Sequence, residues 1–201
     1  MSTHEWTFLL SSLLLGSVPF GYLLCILITR RDIRKEGSGN IGATNVLRTL
    51  GPLGGAATLL LDILKGALPV LYGLHHFYSP YLVLAGGAAA ILGHMYSPFL
   101  KFRGGKGVST FLGVFAVLHP WSAVLFLAGF FAVFYFTRLA SAASLTGVGV
   151  VFFSHLVTRV PMISMIVLSL VVLIFLRHRH NINAIIRGTE RRLQLGKSTH
   201  E

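Results

Sequence analysis

A glycine cluster around one lysine lies in residues 93–110, GHMYSPFLKFRGGKGVST, between two apolar stretches. The glycines next to Lys106 are Gly104, Gly105 and Gly107. Because glycine has no Cβ atom, consecutive backbone N–H groups can turn toward an anion, and Lys106 adds a full positive charge. The apolar residues from Val108 onward predict a helix whose N-terminus faces the same point. These features indicate a binding site for a phosphate group.

Single positions exclude two well-known motifs from this segment. The nucleotide-binding pattern GxxxxGK[ST] fails because position 100 is Leu and position 107 is Gly. His94 lacks the aspartate that would complete the His-x4-Asp pair of the common glycerolipid acyltransferases, since position 99 is Phe. His94 is therefore a candidate substrate contact without that base mechanism.

Polar residues and glycines alternate in residues 36–51, EGSGNIGATNVLRTLG. Their hydroxyls and amides offer directional hydrogen bonds to a phosphate or a small polyol, and an arginine fork suits bidentate phosphate contact. The candidate residues are Ser38, Asn40, Thr44, Asn45 and Arg48. The alternative is a hydrated loop with an arginine that anchors it at the membrane surface.

Two further segments carry candidate site residues. In residues 137–144, TRLASAAS, Ser141 and Ser144 lie three apart and can share a helix face, although a helix cap is the alternative. In residues 177–201, His178 and Asn181 are one helical turn apart, next to several arginines. A basic tail on the membrane surface is the alternative there, but the His-Asn pair favours a site.

The composition predicts an all-α membrane protein. Hydrophobic residues make up 54% of the 201 residues, charged residues only 11%, and the mean hydropathy is +0.74. An ordinary soluble domain has about 25% charged residues. The one cysteine, Cys25, excludes a disulfide within one chain.

The positions of the basic residues predict the topology. Most of the lysines and arginines behind the net charge of +11 fall in or beside residues 30–51, 93–110, 137–144 and 177–201. Short basic loops stay cytoplasmic, so the opposite face takes the N-terminus and residues 75–76, 119–120 and 158–161. The result is a bundle of seven transmembrane helices, with the first over residues 6–28, the N-terminus outside and the C-terminus inside.

Residues 108–136 are short for two membrane crossings, because each crossing needs about 20 residues. One long helix kinked at Pro120 is the alternative, but it would put Arg138 and the basic tail on the wrong face. Two short helices that meet near His119 and Pro120 are therefore preferred.

Ionisable residues inside the spans are expected to be structural. Asp62 and Lys65 lie three apart in the second span, so they can pair inside the bundle. His155 is expected to be a hydrogen-bonded packing residue. His, Cys, Asp and Glu residues lack metal-ligand spacing, and we expect neither a metal nor a cofactor.

Three motifs carry a family resemblance: SGNIGATNVLR at 38–48, residues 93–110, and HRHNI at 178–182. They resemble the bacterial acyl-phosphate-dependent glycerol-3-phosphate acyltransferases, and the likeness covers nearly the whole chain. It implies a seven-helix inner-membrane enzyme with its active site facing the cytoplasm, and residues 1–201 as one acyltransferase domain. That enzyme would transfer a fatty acyl group from acyl phosphate to glycerol 3-phosphate, giving lysophosphatidic acid and inorganic phosphate for phospholipid synthesis.

The resemblance also implies residue roles. The Gly104 to Gly107 backbone would hold the donor phosphate, and which of Ser141 and Ser144 contributes stays open. The residues that would bind glycerol 3-phosphate or assist catalysis are Ser38, Arg48, Lys106, His178 and Asn181. Membrane lipids and the soluble enzyme that makes acyl phosphate are further expected partners, and nucleic acid is not.

Electrostatics independently requires cations in such a site. Two phosphate dianions about 6 Å apart contain four unit repulsions of roughly 2.8 kcal/mol each at an effective dielectric of about 20, or about 11 kcal/mol together. Arg48 and Lys106 are the natural bridging pair. A mixed anhydride is already activated, so direct transfer needs no acyl-enzyme, and Cys25 is misplaced to form one.

Two other classes of function are considered. A transporter or channel for organic phosphates would place binding groups near the bilayer midplane and show repeated halves with broken helices. Here the polar residues cluster at one face, and the sequence has no internal repeat. A structural adaptor would not explain Ser38, Arg48 and Lys106.

The acceptor of the hydroxyl proton gives a first testable prediction. The candidate bases are Glu36, His94 and His178, and the hypothesis is that the donor phosphate takes the proton instead. Replacing each of the three should leave measurable turnover in a pH profile of kcat/KM. A pH limb abolished by one replacement would count against the hypothesis.

Overall fold

The computed structural model describes residues 1–156 and 160–193, whose regular structure is helical, with nine α-helices and no strand. The all-α prediction is therefore confirmed for these residues. Thr158, Arg159 and Lys197, used in the topology argument, lie outside the described residues. The chain divides into two compact units, Met1–Pro120 and Trp121–Glu201.

The first unit contains five α-helices and two short 3-10 turns. Helix α1 packs along α4, while α3 packs on α2, α4 and α5. The helices are α1 (Thr3–Ser17), α2 (Phe20–Thr29), α3 (Ala43–His76), α4 (Pro80–Met95) and α5 (Val108–Leu118). The 3-10 turns, Ile33–Lys35 and Pro98–Leu100, lie in the predicted site segments.

Local sequence signals explain where these helices begin. Ser2 and Glu5 form a reciprocal capping box, in which the Ser2 hydroxyl accepts from the Glu5 amide and the Glu5 carboxylate accepts from the Ser2 amide. The Ser79 hydroxyl caps α4 by accepting from the Leu82 amide, and Pro80 occupies the first turn, where no backbone N–H is needed.

Two breaks interrupt the apolar segments of the first unit. Pro19 separates α1 from α2, since proline cannot donate a backbone hydrogen bond. Gly51 interrupts α3 at φ 75° and ψ −172°, a conformation that residues with a Cβ atom rarely adopt. Arg48 therefore lies on a short helical piece before the main part of α3.

The second unit contains α6 (Pro120–Thr137), α7 (Ala140–Leu156), α8 (Pro161–Arg177) and α9 (Arg179–Ile186). Helix α8 packs on α7, and α9 contacts both. The axis bends by 60° between α8 and α9 at His178. Proline occupies the first turn of α6 and of α8, as at the start of α4.

Four helical segments of the described chain are long and apolar enough to cross a membrane, or five if the bent pair α8 and α9 counts as one. They are Thr3–Thr29, Ala43–His76, Pro80–Leu100 and Pro120–Thr137. Helices α5 and α7 are apolar but shorter. With 11 residues, α5 is about 16 Å long, roughly half of a hydrocarbon core.

The predicted division of residues 108–136 into two helices is confirmed. Helix α5 ends at Leu118, His119 is non-helical, and α6 begins at Pro120. The residue before a proline disfavours helical dihedrals, which explains a break at this position.

Close backbone approach at Gly16 gives a prediction about stability. A Cβ atom built on Gly16 would overlap the backbone of Ala90 where α1 crosses α4. Gly16→Ala should therefore destabilise the protein by about 1–3 kcal/mol, as overpacking does. Thermal unfolding in detergent measures this. Gly149→Ala is the matched control, because a Cβ at Gly149 meets nothing within 4 Å; equal melting temperatures for the two variants would contradict the prediction.

Candidate functional site

The Asn45 side chain holds the first site segment together. It is 1% exposed, and its Oδ1 accepts from the Ser38 amide at 2.8 Å. Its Nδ2 donates to the carbonyls of Ile33, Glu36 and Asn40 at 3.3, 3.0 and 2.9 Å. These bonds use the whole amide within the segment, so Asn45 positions the loop, and direct ligand contact would need them to break.

The other candidates of this segment are more accessible. Asn40 caps a local turn, because its Oδ1 accepts from the Gly42 amide at 2.8 Å. Ser38 and Arg48 are exposed, and Thr44 is half-buried. Besides Asn40, the solvent-accessible candidates of this segment are thus Ser38, Thr44 and Arg48.

Asp32 fixes one of the arginines at the start of this segment. Its carboxylate accepts from Arg34 Nε and Nη2, the latter at 2.6 Å. The Arg34 guanidinium also lies over the Tyr22 ring, 5.0 Å from its centroid. The hydrogen bond from Arg34 lowers the pKa of Asp32 to about 2, so this carboxylate stays ionised at neutral pH.

The glycine-lysine loop, residues 104–107, folds back on the end of α4. The Gly104 amide donates to the Met95 carbonyl at 3.1 Å, and the Gly105 amide donates to the His94 carbonyl at 3.0 Å. The sequence predicts that these two amides bind a phosphate, but in the structure both donate to backbone carbonyls of α4. Gly107 has φ 87° and begins α5 without a side-chain cap, and Lys106 is half-buried beside it. Lys106 and the first turn of α5 are better placed to bind an anion.

A buried apolar cluster joins the first and second segments. Leu100 of the second segment packs with Ile33, Ile41 and Val46 of the first, and with Cys25 of α2. All five side chains are at most 3% exposed. Burial of these side chains fixes the two phosphate-site segments to each other within the first unit.

Asp62 and Lys65 form the expected ion pair. Lys65 Nζ lies 2.8 Å from Asp62 Oδ1, and both side chains are at most 3% exposed. Lys65 Nζ also donates to the Val18 carbonyl at 2.7 Å, beside the break at Pro19. His94 Nδ1 lies 3.7 Å from the same Asp62 oxygen, at 4% exposure. His94 is thus buried beneath the loop, whereas the sequence predicts it to be an accessible substrate contact.

Glu190 joins the third and fourth segments and was not singled out from the sequence. Its Oε1 accepts from Ser141 Oγ at 2.6 Å and from Asn181 Nδ2 at 2.7 Å. The signal was available, since Glu190 is an isolated acid in a strongly basic stretch. Ser141 is 7% exposed, and its hydroxyl donates to Glu190 instead of capping a helix. Ser144 is half-buried.

His178 lies at the bend between α8 and α9. Its Nδ1 lies 2.8 Å from the Ile174 carbonyl oxygen, which accepts a hydrogen bond from the ring and fixes its orientation. His178 is the residue before α9, and Asn181 lies in the first turn of that helix. The two therefore share one turn as predicted, although the side chain of His178 is 2% exposed. In the tail, the Leu193 amide donates to the Arg138 carbonyl at 2.9 Å, which ties the fourth segment to the third.

The described residues contain no group of three His, Cys, Asp or Glu residues that could hold a metal ion. His155 is buried and bonds through Nδ1 to the Val151 carbonyl at 2.9 Å, as expected of a packing residue. The chemistry available in the first unit is cationic, from Arg48, Lys106 and the N-terminus of α5. The second unit offers the His178 ring, held at the Ile174 carbonyl, and the Asn181 amide, held by Glu190.

Comparison with known proteins assigns the chain to a family. Residues 6–188 match the family model described as glycerol-3-phosphate acyltransferase. A glycerol-3-phosphate acyltransferase of Anaeromyxobacter dehalogenans strain 2CP-1 is 41% identical over 186 residues, which cover 90% of this chain and 92% of that protein. One from Thermotoga petrophila is 38% identical over 192 residues, covering 96% and 98%.

Two solved structures extend the comparison to the fold. PlsY (YgiH), an integral membrane glycerol 3-phosphate acyltransferase, matches in its glycerol 3-phosphate form with a TM-score of 0.91 and 36% identity, covering 95% of this chain and 96% of PlsY. Its lysophosphatidic acid form matches with a TM-score of 0.87 and 35% identity over the same shares. These comparisons give no support to the transporter alternative. Because the family model matches residues 6–188 of the 201 residues, this chain belongs to the glycerol-3-phosphate acyltransferase family.

Proposed function

We propose that this membrane protein transfers a fatty acyl group from acyl phosphate to glycerol 3-phosphate and releases 1-acylglycerol 3-phosphate (lysophosphatidic acid) and inorganic phosphate. One observation carries the assignment: PlsY, 36% identical, has been solved in a glycerol 3-phosphate form and in a lysophosphatidic acid form. These two molecules are the acceptor and the product of a single acyl transfer. The product is a phospholipid precursor, which puts the reaction in phospholipid biosynthesis.

Direct transfer is the simplest reaction scheme. The glycerol hydroxyl oxygen attacks the acyl carbonyl carbon, and the bond from that carbon to the phosphate oxygen breaks. The hydroxyl proton passes to the departing phosphate. Cys25 is fully buried in an apolar cluster, which argues against a thioester intermediate. The protein then contributes orientation and charge stabilisation.

Arg48 and Lys106 are assigned to the two phosphate groups. Arg48 is exposed on the short helical piece before Gly51, and Lys106 precedes the N-terminus of α5. The Leu100 cluster fixes their two segments to each other. Ser38 and Thr44 supply hydroxyls on the first segment, and the first turn of α5 supplies N–H groups.

The family motif carries the proposal for the second unit, where His178 and Asn181 bind glycerol 3-phosphate or assist catalysis. The bond from Nδ1 to the Ile174 carbonyl holds the His178 ring in place at the bend between α8 and α9. Glu190 accepts from Asn181 Nδ2 and thereby fixes the orientation of the Asn181 amide. Ser141 supports Glu190, which makes it a positioning residue.

The finer topology belongs to the same proposal. Adding α5 and α7 to the five longest candidate segments gives seven spans. We place the N-terminus outside and the C-terminus in the cytoplasm of a bacterial cell with the active site on the cytoplasmic face, as the positions of the basic residues favour. The assignment of residues 1–201 to one acyltransferase domain and a soluble acyl-phosphate-producing partner both remain predictions.

The catalytic assignment predicts phosphate release that requires both substrates. Detergent-purified protein with palmitoyl phosphate and glycerol 3-phosphate should release phosphate without added metal. Lys106→Ala and Arg48→Ala should each lower kcat/KM by about 100-fold or more, because removing one electrostatic donor typically costs 10²–10³ in rate. Phosphate release and product mass measure this.

The control for this assay is Arg31→Ala, which removes an exposed positive charge that is assigned to neither phosphate and should keep wild-type kcat/KM. Absence of turnover in folded wild-type protein would refute the acyltransferase function. Full turnover in the Lys106 and Arg48 variants, with an active wild type, would refute the site assignment alone.

The hydrogen bond to Glu190 predicts which serine matters. Ser141→Ala removes the hydrogen bond to Glu190 and should lower kcat/KM by about tenfold, since a typical hydrogen bond contributes about 0.5–1.5 kcal/mol. Ser144→Ala is the matched control and should change kcat/KM less. A larger loss in the Ser144 variant would reverse the assignment.

A further inference from the structure

A buried charged group lies directly beneath the glycine-lysine loop. It consists of Asp62 and Lys65 of α3 and His94 of α4, with side chains that are 1–4% exposed. An unpaired charge inside a membrane bundle is unfavourable because it cannot be hydrated there. The Asp62–Lys65 distance of 2.8 Å and the bond from Lys65 to the Val18 carbonyl offset this cost. The group is therefore fixed in place.

His94 connects this group to the loop. On one side, Nδ1 faces Asp62 Oδ1 at 3.7 Å. On the other, Nε2 lies so close to the Gly105 backbone that a Cβ atom built on Gly105 would overlap the ring. The His94 carbonyl also accepts from the Gly105 amide at 3.0 Å. The ring thus separates the buried ion pair from the residue that precedes Lys106.

The same helix pair continues the contact into α5. A Cβ atom on Gly66, one residue after Lys65, would overlap the backbone carbonyl of Thr110. Thr110 is fully buried in the first turn of α5. The two ends of the segment that carries Lys106 are therefore packed on the α3–α4 pair, with Gly105 against His94 of α4 and Thr110 against Gly66 of α3.

We propose that His94, oriented by Asp62, is a positioning residue that sets the height of Gly105 and hence the place of Lys106. Its burial makes it a support of the phosphate loop rather than a ligand of the substrate. This proposal rests on the proposed acyl transfer, because the loop's task there is to hold a phosphate group. A displacement of about 1 Å in such a loop can cost 10²-fold in rate.

Complementation between positions 94 and 105 tests the proposal. Gly105→Ala should lower kcat/KM by about 100-fold, because its methyl group meets the His94 ring. His94→Ala should lower it by about tenfold. When His94→Ala and Gly105→Ala are combined, the methyl group introduced at position 105 takes part of the space that the His94 ring vacates. The kcat/KM of this double variant should therefore be at least about tenfold higher than that of Gly105→Ala alone. Independent sites do not show such a coupling. His94→Asn serves in place of His94→Ala if the alanine variant does not fold.

The contribution of Asp62 is tested with its partner. Removing one charge alone would leave the other buried and unpaired, so Asp62→Asn is combined with Lys65→Met. This variant should raise KM for at least one of the phosphate-bearing substrates by about tenfold while kcat changes less, because the loop is displaced but Lys106 remains. Thermal unfolding followed by tryptophan fluorescence identifies the folded variants.

Matched controls are Gly149→Ala, where a Cβ meets nothing within 4 Å, and His75→Ala, an exposed histidine at the end of α3. Both should retain wild-type kinetics. The proposal is overturned if the variant with both His94→Ala and Gly105→Ala is no more active than Gly105→Ala alone. It is also overturned if His94→Ala, or the variant with both Asp62→Asn and Lys65→Met, keeps wild-type KM and kcat. An inactive wild type would refute the acyltransferase function instead.

Discussion

Asp62 and Lys65 form an ion pair inside a membrane helix, where neither charge can be hydrated, and the packing of the first unit satisfies both charges. Lys65 reaches the Val18 carbonyl beside the break between α1 and α2. Asp62 faces His94 at the end of α4. Three helical segments therefore meet at one electrostatic contact.

Breaks in the helices supply the polar backbone groups that an active site needs. In hydrocarbon, a backbone group outside a helix must be bonded or buried in protein, and side chains bond the backbone at three of these breaks. The Ser97 hydroxyl donates to the Ser17 carbonyl at 2.6 Å, next to the break at Pro19. Asn45 bonds the turn before α3, and His178 bonds the last turn of α8 through the Ile174 carbonyl.

Small polar residues here have two kinds of role. Asn45 and Ser141 are buried and bond within the protein, so they shape the segments that present Arg48 and Asn181. Arg48 and Ser38 remain exposed. Acyl transfer from an activated anhydride needs oriented reactants and balanced phosphate charge more than a nucleophile or a strong base, and such a division of roles suits that chemistry.

The sequence by itself determined the helical membrane class, the break near His119 and the motifs that identify the family, because composition, proline positions and local patterns report those features directly. The pairing of Asp62 with Lys65 also followed, since three residues of helix put both on one face. Tertiary structure alone decided that Glu190 bonds Ser141, that His94 lies under Gly105, and that the Gly104 and Gly105 amides are used within the loop. Ser141 and Glu190 are 49 positions apart, and no local pattern encodes such a distance. The contacts of Gly104 and Gly105 with Met95 and His94 span only about ten positions, but they depend on an irregular loop that folds back on α4 and has no repeating pattern in the sequence.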